Sequence, residues 1–283
     1  MDILVTGGAG FIGSRLVKKL VKEKHNVIIV DDMSEGLAKN IEKELLEPNC
    51  YLYPYDIVET LPDKKFDVVY HLAAKRCVPL SFEFPEKYIR DNILGTHKLL
   101  KAYADGKTRI VNISSSTAEQ CISPYGISKR AAEQFTALYK NTVSLRFFNV
   151  FGEKQPSNTC IVPSTLRELE NGKSPIIHGD GKQARDFTYL GDVINEVIKY
   201  GQGEYKDKTG QYDIGYGQSI TVNDMCHKIT NLYGTNFSPI KADNRIGDIR
   251  TTKARHIIDS PEFGFEEGLR RTIEWAKSTH YYR

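Results

Sequence analysis

Ile3-Leu4-Val5-Thr6-Gly7-Gly8-Ala9-Gly10-Phe11-Ile12-Gly13-Ser14 joins a β-branched run to a glycine loop and the start of an amphipathic stretch. The glycines fit two spacings at once: Gly8, Gly10 and Gly13 as GxGxxG, and Gly7, Gly10 and Gly13 as GxxGxxG. Such a loop serves a tight turn, a backbone with no Cβ where an anion approaches, and close packing of helix on strand. Behind it Phe11, Ile12, Leu16, Leu20 and Val21 form one apolar stripe, with Lys18, Lys19, Lys22 and Lys24 largely outside it. A helix starting there turns free N–H groups and its positive end toward a phosphate. A glycine loop alone can be a purely structural turn. Here a second run, Val27-Ile28-Ile29-Val30, ends in Asp31, 18 residues after Gly13. A carboxylate at that spacing accepts the ribose hydroxyls of a dinucleotide. Asp32 follows where an arginine would hold a 2′-phosphate, so the expected cofactor is NAD rather than NADP.

The same alternation continues outward. Val68-Val69-Tyr70-His71-Leu72, Arg109-Ile110-Val111-Asn112-Ile113 and Val143-Ser144-Leu145-Arg146-Phe147 read as further buried strands, and residues 85–105 and 124–140 as helices between them. Strand–helix–strand repetition with short connections predicts an α/β fold, a doubly wound parallel sheet with right-handed crossovers. After Gly152 the rhythm changes. Residues 153–184 are richer in Pro, Gly and Asn around one helical stretch near 162–171, then come a helix near 191–201 and a strand at Tyr212-Asp213-Ile214. The expected division is a sheet domain over 1–152, joined again by segments near 186–215, and a smaller mixed C-terminal lobe from 153–185 and 216–283. Phe147, Phe148 and Phe151 read as core.

Composition excludes several classes. With 40% hydrophobic and 27% charged residues among 283, the chain has the make-up of a globular protein. Its 39 basic and 36 acidic residues are interspersed and leave no electrostatic footprint for nucleic acid. No stretch approaches the roughly 20 apolar residues of a membrane span. The start, MDILVTGG, has an acid at position 2 and does not read as a signal peptide. Five scattered cysteines with no CxxC pair suit reduced thiols. The expectation is a cytoplasmic protein without membrane or nucleic-acid partners, and without a metal, because the seven histidines do not cluster with other ligands.

Tyr125-Gly126-Ile127-Ser128-Lys129 places a tyrosine and a lysine four apart, on one helix face. A phenol titrates near pH ~10 in isolation, and a neighbouring ammonium favours its anion. That spacing is common, and surface packing explains most such pairs. Its surroundings are more specific. Taken in order, TGGAGFIGS, HLAA, NISSS, SPYGISK, LRFFNVFG, GDGKQARDF and RIGD resemble the extended short-chain dehydrogenase/reductase family, nearest its nucleotide-sugar 4-epimerases. The resemblance runs over almost the whole chain.

It implies a Rossmann sheet, NAD, a nucleotide-diphosphate sugar as substrate and a homodimer formed through helices 85–105 and 124–140. Tyr125 would be the general acid/base, and Lys129 would lower its pKa and hold the nicotinamide ribose. A serine after strand 109–113 would bond the reacting hydroxyl. Ser115 is favoured and Ser116 is the alternative, because Ala118-Glu119-Gln120 replaces the valine-tyrosine-glycine that usually anchors the register. Phe11 and Ile12 follow the glycine loop, Asp56 and Ile57 match an adenine contact, and Leu72, Ala73, Ala74 and Asn92 match positions lining the cofactor. Asn149, Arg185, Arg245 and Asp248 match groups that hold the nucleotide diphosphate. Arginine suits that task because its planar fork bonds phosphate bidentately.

Within that family, dehydratases carry an Asp-Glu pair after the active-site hydroxyl residue and decarboxylases a glutamate. Here Ser116-Thr117-Ala118 follow Ser115, which favours epimerisation. A dehydratase, a decarboxylase or a catalytically silent NAD-binding scaffold remain as alternatives, and Glu119 is the one acid a shifted loop could bring in. The loop from Thr117 to Pro124 is much shorter than is usual in the family, and the C-terminal region is abbreviated near 259–269. Thr252 stands where some members have a bulky residue beside the sugar, and a small side chain there could admit an N-acetyl group.

Overall fold

The β-branched runs become neighbouring strands of one seven-stranded sheet. The computed structural model, which describes residues 1–156 and 160–282, places them at β1 (Asp2–Thr6), β2 (Asn26–Val30), β3 (Cys50–Tyr53), β4 (Val68–His71), β5 (Arg109–Ser115) and β6 (Thr142–Phe147), with β10 (Gly210–Ile214) at one edge. The order is β10-β6-β5-β4-β1-β2-β3. β1 pairs in parallel with both β2 and β4, so the winding reverses beside β1. That reversal opens a crevice beyond the carboxyl ends of the strands, where open α/β sheets bind ligands. Every residue of β4 and β5 is buried, as expected of strands covered on both faces. Leu4, Ile28, Val30, Val69, Leu99, Leu100 and Ile110 share one core, each fully buried aliphatic contributing about 1.5–3 kcal/mol.

The chain divides into two units, Met1–Arg146 with Ile194–Tyr212, and Phe147–Val193 with Asp213–Arg283. Helices of the first unit are α1 (Phe11–Lys22), α2 (Val78–Glu83), α3 (Pro85–Tyr88), α4 (Gly95–Tyr103), α5 (Thr117–Gln120) and α6 (Pro124–Thr136). The chain returns to it along α8 (Leu190–Gly201). Arg109 fastens that return by donating from Nε to the Tyr200 carbonyl and from Nη2 to that of Lys208.

The single helix expected over 85–105 is broken. Between α3 and α4 the backbone adopts a π-helical stretch, Ile89–Leu94. The extra residue in the turn accompanies an Asn92 side chain that is 1% exposed, and its bonds are described below. The helix expected over 124–140 ends at Thr136, whose carbonyl accepts the Thr142 hydroxyl. β3 was not foreseen. It is an edge strand of mixed burial and lacks the continuous apolar run of its neighbours.

The second unit holds β7 (Asn149–Phe151), α7 (Ile161–Glu170), β8 (Ile176–His178), β9 (Ala184–Tyr189), β11 (Ser219–Thr221), α9 (Val222–Tyr233), β12 (Ile240–Ala242) and α10 (Gly264–Thr279). Its sheets are β11-β9-β7 and β12-β8. Phe151, Leu166, Phe187, Met225, Ile229, Leu269 and Ile273 form its core. Phe147 and Phe151 are buried as expected, whereas Phe148 stays partly exposed. No described helix is long and apolar enough to cross a membrane.

Candidate active site

The glycine loop lies between the ends of β1 and β4. Gly7 has φ +70°, and a Cβ there would stand 2.7 Å from the Ala73 nitrogen. A Cβ on Gly13 would fall 2.1 Å from the Gly7 carbonyl oxygen, whereas one on Gly10 meets only that oxygen at 3.3 Å. Gly7 and Gly13 therefore let loop, strand and helix close on each other, while Gly10 keeps space open above the loop. Gly10 is also the N-cap of α1 and supplies no side-chain cap, which leaves the first amides of the helix, at Phe11 and Ile12, for an anion.

Asp31 ends β2 in a buried position. Its Oδ2 accepts the Ala9 N–H and its Oδ1 the Met33 N–H, each at 2.9 Å. Burial raises its pKa, and the two backbone donors oppose that rise. The carboxylate thus pins the glycine loop to β2 and keeps further lone pairs for hydroxyl donors. Asp32 turns to its own loop and accepts from the Ser34 N–H and hydroxyl. Asp56 accepts the Val58 N–H and pairs with Arg90 at 2.7 Å, and Ile57 is buried against Gly95. Leu72, Ala73 and Ala74 run partly exposed from the end of β4. A cradle that a Cβ would fill, free helix amides and a buried carboxylate together fit the pyrophosphate and ribose of NAD.

Asn92 acts as a clamp. Its Oδ1 accepts the Lys75 N–H at 2.7 Å, and its Nδ2 donates to the Lys75 carbonyl and to Ser128 Oγ. Ser128 in turn donates to the Tyr125 carbonyl. The loop after β4 is thereby tied to the helix that carries the tyrosine–lysine pair.

That helix, α6, begins at Ser123, whose Oγ accepts the Gly126 N–H, with Pro124 at its first position. Tyr125 is partly exposed, and its ring rests edge-on against Tyr88, centroids 6.2 Å apart. Ser115 ends β5 in a buried position, and Ser116 stands at the N-cap position of α5 without a side-chain cap bond. The short connection folds as this one turn, packed so closely on α6 that a Cβ on Gly126 would lie 2.6 Å from the Thr117 carbonyl oxygen. Glu119 is solvent-exposed on the same turn.

Burial holds the Tyr125 phenol above its ordinary pKa, opposed by Ser115 and by the positive charge of Arg76. Lys129 is itself 6% exposed, and burial brings its ammonium down to about 8 against the attraction of Glu133. An unfolded chain therefore holds that proton more tightly than the folded one between pH 8 and 10.5. Burying the charged lysine costs stability below pH 8, and the cost is released as pH rises to 10.5. Lys129→Met should accordingly raise the unfolding free energy of the NAD-free protein at pH 7 by about 2–3 kcal/mol. Urea titrations repeated at rising pH should show that gain shrinking.

Glu133, one turn beyond Lys129, was not anticipated. It is 1% exposed, accepts Arg146 through two bonds of 2.7 and 2.8 Å, and accepts the Ser114 hydroxyl at 2.7 Å. It thereby locks α6 to β5 and β6. Its sequence signal is the i+4 spacing after Lys129.

In the second unit, parallel register sets Asn149 on β7 opposite Phe187 on β9, two residues beyond Arg185. Arg185 donates to the Ala184 carbonyl and forms an ion pair with Asp248, and Asp248 N–H reaches the Arg245 carbonyl at 3.4 Å. Thus the Arg185 and Asp248 side chains are paired, with the Arg245 backbone one turn before Asp248. Asp186, facing the other way on β9, is fully buried and accepts the N–H groups of Tyr216, Gly217 and Ala254. It fixes two loops, and sequence reading missed it because its donors are backbone amides distant along the chain. Thr252 is buried, and its Oγ1 has no hydrogen-bond partner among the described residues.

Residues 3–215 match the model of the NAD dependent epimerase/dehydratase family. The UDP-glucose 4-epimerase of Mycolicibacterium smegmatis is 29% identical, over 98% of this chain and 99% of that protein. A UDP-N-acetylglucosamine 4-epimerase from Methanobrevibacter ruminantium, solved in complex with UDP-N-acetylmuramic acid, is 31% identical with a TM-score of 0.88, over 98% of each chain. A UDP-glucuronic acid 4-epimerase from Bacillus cereus, solved with UDP-glucuronic acid and NAD, gives 27% and 0.89, over 98% of this chain and 99% of that one.

Proposed function

The chain belongs to the NAD-dependent epimerase/dehydratase family, and from that premise we propose that it inverts C4 of a UDP-linked sugar through a transient 4-keto sugar. The observation that supports this most is Tyr125 set four residues before the buried Lys129 on α6, with no carboxylate in the three residues after Ser115. The nearest acid, Glu119, is exposed to solvent. Bound NAD supplies a hydride acceptor that later gives the hydride back, so turnover has no net redox change.

The chain's own residues handle the proton and the orientation. Tyr125 takes the proton of the 4-hydroxyl as C4 is oxidised, and returns it as C4 is reduced from the other face. Ser115 donates to the same sugar oxygen and stabilises its developing charge. Lys129 holds the nicotinamide ribose, and Gly7, Gly10, Phe11, Ile12, Gly13 and Asp31 hold the pyrophosphate and the adenosine ribose. Asn149, Arg185, Arg245 and Asp248 take the nucleotide diphosphate, with the Arg185 fork already oriented by Asp248.

The test is incubation of purified protein and NAD with UDP-, GDP- and dTDP-sugars, products being identified by mass and NMR. The reading requires an isomer of unchanged mass from a UDP-sugar. Loss of water or of CO₂ would overturn it. Comparing plain and N-acetylated UDP-sugars in the same panel tests the small Thr252 position. A homodimer is part of this proposal, supported by Ile89, Leu94 and Ile127, which are exposed on the π-helical stretch and α6. Sedimentation equilibrium should then give twice the 32.1 kDa chain mass.

A further inference from the structure

His71 ends β4, is 3% exposed, and is bonded at both ring nitrogens. Nδ1 lies 2.7 Å from Thr6 Oγ1 and Nε2 lies 3.0 Å from Thr96 Oγ1. The next partners fix which nitrogen carries the proton. Thr96 donates its hydroxyl hydrogen to the Asn92 carbonyl at 2.6 Å, and a carbonyl can only accept. Thr96 Oγ1 therefore has only lone pairs to offer the imidazole, so Nε2–H is the donor. Nδ1 is then the acceptor, and Thr6 donates to it while accepting the Ala73 N–H at 3.3 Å. Burial and the positive charge of Lys129 keep the ring neutral, bringing its pKa down to about 3. We propose that His71 is a positioning residue that, as its Nε2–H tautomer, joins the Ala73 amide beside the glycine loop to the Asn92 carbonyl and so sets the backbone against which NAD docks.

Both ends of this chain lie at the cofactor cradle. At one end, the Ala73 nitrogen is the atom that a Cβ on Gly7 would meet at 2.7 Å. The Thr6 hydroxyl thus holds the backbone on which the glycine loop turns. At the other end, Asn92 belongs to the π-helical stretch, and its side chain bonds the Lys75 backbone and Ser128 Oγ. Ser128 leads on to the Tyr125 carbonyl. Every bond in the chain has one sense. With the proton on Nδ1 instead, Thr6 would have to turn its hydrogen away, and Thr96 would have to turn its own from Asn92 toward Nε2. The Asn92 carbonyl would then lose its side-chain donor in a buried place, where an unmade bond is expensive. An apolar ring at position 71 would leave the Thr6 hydroxyl without its acceptor.

The inference rests on NAD as the cofactor of the proposed reaction, and its test needs no turnover. Protein labelled with ¹⁵N-histidine is read by NMR for wild type, Thr96→Val and Thr96→Ser, the His71 signals being those lost in His71→Phe. Wild type should show a protonated Nε2 and a bare Nδ1 from about pH 5 to about pH 8. Thr96→Val removes the acceptor of Nε2–H, and the proton should move to Nδ1, where Thr6 Oγ1 can accept it. Thr96→Ser keeps the hydroxyl and should keep the wild-type tautomer. NAD titrations should show about tenfold weaker binding for Thr96→Val and His71→Phe, and wild-type binding for Thr96→Ser. If His71→Phe does not fold, the two Thr96 variants decide the comparison. A wild-type ring protonated at Nδ1, or NAD binding unchanged in Thr96→Val, would show the proposal to be wrong. If tautomer and NAD binding respond as expected but no UDP-sugar is turned over, the proposed function fails while this inference stands.

Discussion

Phenylalanine at position 125 is expected to lower turnover of a UDP-sugar by about a thousandfold, within the range that positioned acid–base groups contribute. The substitution deletes one oxygen and keeps the ring, so the edge-on packing against Tyr88 survives. The glycine loop, Asp31 and Lys129 are untouched, and NAD should be retained at the wild-type level. Steady-state rates and the NAD content of the purified variant are the two readings. A drop in rate with NAD content preserved assigns Tyr125 to the chemistry, and an unchanged rate removes it.

The second large effect should come from alanine in the glycine loop, and it should differ sharply between two positions. Gly13→Ala drives a Cβ to 2.1 Å from the Gly7 carbonyl oxygen and to 2.9 Å from the Gly8 Cα, both backbone atoms. Relief requires moving Gly7, which is already against the Ala73 backbone. Overpacking of this kind typically costs about 1–3 kcal/mol. A displaced loop also loses its amides as a phosphate cradle, so NAD affinity should fall about a hundredfold, or ~2.7 kcal/mol. Gly10→Ala meets a single atom at 3.3 Å and should leave thermal stability close to wild type. Its Cβ occupies the space kept open for the pyrophosphate, so it too should weaken NAD binding. Calorimetric unfolding and NAD titration of both variants would separate the roles. Equal stability losses at the two positions would contradict them.

The sheet was legible because its strands are buried on both faces. A parallel strand covered twice must be apolar throughout, and β1, β2, β4 and β5 announce themselves as β-branched runs. β3 escaped notice because an edge strand, Cys50–Tyr53, is only partly buried and carries exposed tyrosines. The break within 85–105 was invisible for a different reason. The π-helical turn accompanies bonds from Asn92 to Lys75 and Ser128, partners 17 and 36 residues away. In the second unit several strands are only three residues long, too short to show a period.

The candidate site divides in a similar way. Gly7, Gly10, Gly13 and Asp31 could be read from spacing alone, since a turn, a strand end and a helix start lie within one segment. The sequence favours Ser115 and keeps Ser116 as the alternative, because the register depends on how tightly the short loop turns. Ser115 is buried at the end of β5, and Ser116 stands at the N-cap position of α5 without a side-chain cap bond. The expectation for Tyr125 and Lys129 came from their four-residue spacing, which does not show how deeply either group is buried. Burial changes both groups, raising the phenol and depressing the ammonium.

The most direct test of C4 inversion follows the hydrogen at C4. A UDP-sugar substrate of this enzyme, carrying deuterium at C4, is converted in ordinary water, and an unlabelled sample is converted in heavy water. Epimerisation through a transient 4-keto sugar predicts a C4 epimer that keeps its deuterium at C4, with no solvent deuterium entering any carbon. Deuterium displaced to another carbon or lost to solvent, or solvent deuterium fixed in the sugar ring, would contradict it.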